Sequence, residues 1–198
     1  MHRSSCGAAA DAEASFDREF MPMARAWANP TDEGLPARIS SEAPSLLRRY
    51  PSFRRMIEQR RLSSLAHWHE LRGQLPEAVV LYRALLRRRL LDRAQSRIIL
   101  HGHISLLLVR MGKLDEARRA SGRGLALAVK QRQSLMCITR LSDFAEMGPV
   151  RPTRLRLRAF EIAQGRPPRR SAARRDPVRF AEAVLEAWLK RNGRRPRS

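Results

Sequence analysis

LSSLAHWHELRGQLPEAVVLYRALL at residues 62–86 and HGHISLLLVRMGKLDEARRASGRGL at residues 101–125 decide the fold. Laid over each other at a separation of 39 residues, Gly73 falls on Gly112, Leu75 on Leu114, Glu77 on Glu116 and Ala78 on Ala117. In each copy apolar residues recur at helical spacing up to the glycine and again after it, which reads as helix, tight turn, helix. Glycine at the break suits the left-handed backbone that ends a helix. Pro76 opens the second helix of the first copy, where its missing N–H is not needed. Glu77, Asp115 and Glu116 stand in first turns, at the positive end of the helix dipole. Ala78 and Ala117 let the two helices of a hairpin approach closely, and a larger side chain there would overpack the crossing.

Outward from these pairs the same punctuation continues. After Tyr50-Pro51, residues Phe53, Met56, Ile57, Leu62, Leu65, Trp68 and Leu71 form one helical face. Ala78, Leu81, Tyr82, Leu85 and Leu86 follow in the second helix, with Arg87, Arg88 and Arg89 at its negative end. A third helix is expected over 92–111, a fourth over 114–130, a fifth over 134–147 and a sixth over 152–165. Residues 166–175 (RPPRRSAARR) read as a basic linker, and Asp176-Pro177 opens a capping helix within 176–198 that runs into a basic tail. Residues 1–44, interrupted by Pro22, Pro30, Pro36 and Pro44, read as a mostly disordered tail. The expectation is an all-α fold of about seven helices, with a repeat domain over 45–165 and turns short enough to make neighbouring helices antiparallel.

The formal charge is +21, and it is unevenly spread. Residues 1–40 carry four basic and six acidic groups, whereas the remainder carries 36 basic and 13 acidic ones. Such a field draws nucleic acid, anionic lipid or acidic protein. Only Lys113, Lys130 and Lys190 among the basic residues are lysine. That bias fits the codon usage of a GC-rich bacterial genome, but it does not account for the shortage of acids. No run of apolar residues is long enough for a membrane span, no secretory leader is evident, and Cys6 and Cys137 lie far apart. A cytoplasmic location is expected.

The pattern G-x-L-x-E-A resembles the tetratricopeptide repeat family. Leu65, Ala66, Gly73, Ala78 and Tyr82 match it in the first copy, and Ile104, Ser105, Gly112 and Ala117 in the second. The resemblance implies a right-handed solenoid of stacked antiparallel hairpins. It implies an adaptor or chaperone-like role, with a peptide or partner helix held in a concave groove lined by the first helix of each copy. Carried over residue by residue, the groove would use Arg60, Ser63, His67 and Glu70, then His103, Leu106 and Arg110. Arg60 and Arg110 would suit an acidic segment or a terminal carboxylate. The chain departs from the family in its period, which there is about 34 residues. Ser121 and Gly124 stand where larger or apolar residues are usual, and a third copy keeps Phe144 and Gly148 but has Thr153 where alanine is expected.

Catalytic and metal chemistry finds no footing in the sequence. His67 and His69, like His101 and His103, sit two apart on a helix and point in directions about 200° apart, so neither pair chelates from one face. Cys137 lies in an apolar helical run, the setting of a buried structural thiol. No nucleophile elbow, phosphate loop or zinc-protease motif is present, so neither enzyme activity nor a cofactor is expected. Trp68 and Trp188 fall beside apolar stripes and read as packing residues. The alternative to a protein-binding adaptor is a basic nucleic-acid-associated protein. It would contact phosphates through Arg166, Arg169, Arg170, Arg174, Arg175, Arg194 and Arg195.

Overall fold

The computed structural model describes residues 4–147 and 153–164, and every regular element among them is helical. The chain separates into two compact units, 1–91 and 92–198. The sequence reading had instead placed one repeat domain over 45–165.

The first unit contains α1 (Ser4–Ala26), α2 (Leu35–Arg49), a 3-10 turn (Pro51–Phe53), α3 (Arg54–Leu71) and α4 (Leu75–Arg87). The expected disordered tail over 1–44 is therefore corrected to a pair of helices. Phe16, Phe20, Ala24 and Trp27 recur along α1 at i, i+4, i+8 and i+11, and Leu35, Ile39, Ala43 and Leu46 repeat that spacing along α2. All eight are buried together with Ile57 of α3. The Phe16 ring stacks on Phe53 with centroids 4.0 Å apart and on Phe20 at 4.7 Å, and Tyr50 meets it edge-on at 5.3 Å. Trp27 Nε1 donates to Glu42 Oε2 at 2.7 Å, tying the end of α1 to α2. The four prolines do not prevent this. Pro36 is in the first turn of α2 and Pro30 is in the connecting loop, while Pro22 and Pro44 lie inside helices on exposed faces. The carbonyl each internal proline frees one turn earlier therefore lies toward water, and aromatic burial at about 2–3 kcal/mol per ring offsets the lost helical bond.

The second unit contains α5 (Ala94–Arg110), α6 (Leu114–Lys130), α7 (Ser134–Glu146) and α8 (Arg154–Gln164). Helix α7 lies against α5 and α6, and α8 against α6 and α7. Ile98, Ile104, Leu107, Leu108, Leu125, Ala128 and Cys137 form its buried interior. The expected closures at Gly148 and Gly165, the Pro152 helix start, and everything expected of 166–198 lie outside the described residues.

The two aligned hairpins, α3–α4 and α5–α6, share their turn atom for atom. Gly73 and Gly112 both adopt φ of +72°. The residue after each reaches back five positions, Gln74 N to His69 O at 2.9 Å and Lys113 N to Leu108 O at 2.8 Å. Ala78 and Ala117 are fully buried at the crossings. The second helix of each hairpin ends in the same closure with an arginine in the left-handed position, Arg89 at φ 53° and Arg132 at φ 51°. Leu90 N then bonds Leu85 O, and Gln133 N bonds Ala128 O.

Candidate functional site

Helix α3 carries four of the expected groove residues, and the structure gives them unequal fates. Arg60 is committed inside its own unit, donating from Nε at 3.0 Å and Nη2 at 2.6 Å to the carbonyl of Ala24. That carbonyl is in the last turn of α1, where helical acceptors have no partner within the helix. Two and three turns further along α3, Trp68 Nε1 donates to Asp32 O at 2.9 Å and Arg72 Nη1 to Pro30 O at 2.9 Å. The Arg72 guanidinium also lies 4.0 Å over the Trp68 ring. Arg60, Trp68 and Arg72 thus clamp the α1 end and the α1–α2 loop. The expected groove role for Arg60 is corrected accordingly, because its guanidinium caps α1. Ser63 bonds back to Gln59 O at 2.6 Å within α3, and Glu70 accepts the Tyr82 hydroxyl at 3.0 Å across the hairpin. Burial and the Glu70 carboxylate push the Tyr82 hydroxyl well above its ordinary range. His67 is exposed.

Helix α5 carries the other three. Leu106 and Arg110 are exposed and His103 is half-buried. Ile99, four residues before His103, is also exposed, so Ile99, His103, Leu106 and Arg110 follow one face of α5 at i, i+4, i+7 and i+11. Sequence reading had taken Ile99 as a core residue, since helical periodicity alone places it beside Ile98.

The opposite face of α5 meets a buried polar cluster that the sequence did not reveal. Arg140 of α7 is buried, and its Nη1 pairs with Asp143 Oδ2 at 2.9 Å. Asp143 also accepts the buried hydroxyl of Ser121 at 3.3 Å. A Cβ on Gly124 would meet His101 Cβ at 3.1 Å and Arg140 Cδ at 3.3 Å. The position aligned with Gly124 in the first hairpin is Leu85, which is buried. The arginine stem thus lies against the place a larger side chain would take. Ser121 and Gly124, the two residues that break the repeat pattern, are both contacts of this cluster. Burial lowers the basicity of Arg140, partly countered by Asp143. Burial first, then Arg123 and Arg140, brings His101 down to about 4.

Among the described residues no three His, Cys, Asp or Glu side chains gather into a metal-sized group. Cys137 is a buried free thiol pushed up to about 11 by burial. No described helix is long and apolar enough to cross a membrane. Arg166, Arg169, Arg170, Arg174, Arg175, Arg194 and Arg195 lie outside the described residues. No protein family, curated protein or solved structure matches the chain.

Proposed function

We propose that this chain is a non-catalytic, tetratricopeptide-like binding module that holds an acidic protein segment along α5. One observation carries the reading. Ile99 and Leu106, 50% and 44% exposed, stand two helical turns apart, and Arg110 is exposed one turn beyond on the same face. Large apolar side chains left in water at helical spacing offer anchors to a partner helix, and an adjoining arginine selects for carboxylate. The overall charge of +21 favours an acidic partner over a basic one. The role originally expected of both first helices is thereby narrowed to α5.

The reading is tested with fluorescently labelled amphipathic peptides of one apolar pattern, made in acidic and basic versions. Anisotropy titrations should show binding of the acidic version, at least about tenfold weaker for Leu106→Glu. Equal binding of a scrambled acidic peptide, with no loss in Leu106→Glu, would leave only non-specific charge attraction.

A further inference from the structure

We propose that the meeting point of α5, α6 and α7 is a binding site for a dianionic phosphate group, built from Arg97, His101, Arg123 and the inner end of Arg140. It occupies the face of α5 opposite Ile99 and Leu106, so it is independent of the docking surface above. At Gly124 the His101 Cβ and the Arg140 Cδ converge within 3.1 and 3.3 Å of one point. Arg123 adjoins Gly124 in sequence, and Arg97 stands one turn before His101 on the same face of α5.

The hydrogen-bond accounting at this point is incomplete. Arg140 is more than nine-tenths buried, and its Nε meets no acceptor among the described residues. Arg97 Nε is buried and equally unpartnered. Buried donors without acceptors are unfavourable by about 1–3 kcal/mol each, more when charged, so native structures rarely keep two together without a use. The charges are also out of balance. Arg97, Arg123 and Arg140 face a single carboxylate, Asp143, whose Oδ2 already holds Arg140 and the Ser121 hydroxyl. The local excess of two positive charges matches a phosphate dianion better than a monocarboxylate, and guanidinium forks suit its oxygens. Nearby positive charge and burial keep His101 neutral, so its ring brings a further donor without adding repulsion between cations.

Nuclear magnetic resonance of the full chain reads the site directly through the imidazole signals of His101. Inorganic phosphate is titrated at pH 7.5 with sodium chloride adjusted to hold ionic strength constant, and phenyl phosphate is titrated in parallel. The expected result is a saturable shift of His101 with no matching shift of exposed His67. It should be weakened about tenfold in the Arg97→Gln/Arg123→Gln double variant. Both substitutions replace side chains outside the core, and circular dichroism confirms that the variant folds. A shift with both compounds assigns a phosphomonoester ligand, and a shift with inorganic phosphate alone assigns the free ion. No saturable shift with either compound, equal shifts at His101 and His67, or an unchanged response in the double variant would overturn the site.

Discussion

A Cβ built on Gly102 would stand 0.9 Å from Nη1 of Arg140. Helix α5 is therefore bare at this position because a guanidinium from α7 lies directly against its backbone. Most helical glycines are liabilities, since they leave the chain freer when unfolded. Here the missing side chain is what admits the buried Arg140–Asp143 pair.

Gly102→Ala is expected to destabilise the chain by about 1–3 kcal/mol, because displacing Arg140 disturbs a buried ion pair. In an Arg140→Met/Asp143→Leu background the same substitution should become neutral, or stabilising by up to about 1 kcal/mol through helix propensity. Urea unfolding of the four proteins measures the coupling. Additive effects would show that Arg140 does not fill the space beside Gly102.

Phe16→Ala should lower stability by about 3–5 kcal/mol, since the ring is fully buried between Phe20 and Phe53. Residues of a disordered tail would show no such effect. Thermal unfolding compared with that of exposed Asp17→Ala separates the two cases.

Arg89→Gly and Arg132→Gly should each stabilise by about 1 kcal/mol, because both arginines hold left-handed backbone at positive φ. Gly73→Ala and Gly112→Ala should destabilise by about 1–2 kcal/mol for the same reason. Melting temperatures of the four variants are expected to divide by residue type. Arginine variants that melt below the parent would contradict the strain assigned to those closures.

Stability should also depend on pH through His101. Its folded-state value is about 4 against 6.5 for the free side chain, so the fold favours the neutral ring. Between those values the unfolded chain takes up the proton first. The contribution is thus full above about pH 6.5 and is lost as pH falls through 4. The ring is partly exposed, and solvent screening holds the loss to about 1–2 kcal/mol. Urea midpoints at pH 7.5 and 5.0 should draw closer together in His101→Gln. An unchanged gap would place the pH dependence elsewhere.

The legible part of the fold was the part with local punctuation. Gly73, Gly112, Ala78 and Ala117 each have a steric reason visible in sequence, and the hairpins around them fold as that punctuation directs. The helices α1 and α2 were misread because proline was weighed as a breaker without regard to the face it occupies. Pro22 and Pro44 lie opposite stripes of aromatic and aliphatic residues whose burial outweighs the local loss. Arg60 was read as a ligand contact because nothing local shows that a carbonyl 36 residues earlier takes both its donors. The Arg140 cluster left one trace, the unexpected Ser121 and Gly124 in the second copy. Its meaning needed the third helix in place.

Charge exchange across the proposed α5 surface tests the central claim most directly. An acidic amphipathic peptide that binds the parent chain should lose about tenfold in affinity with Arg110→Glu, and a peptide with one matched Glu→Lys change should regain it. That reciprocal recovery would place Arg110 against a partner carboxylate. Affinity indifferent to Arg110→Glu and to Leu106→Glu would contradict the assignment of α5 as the docking surface.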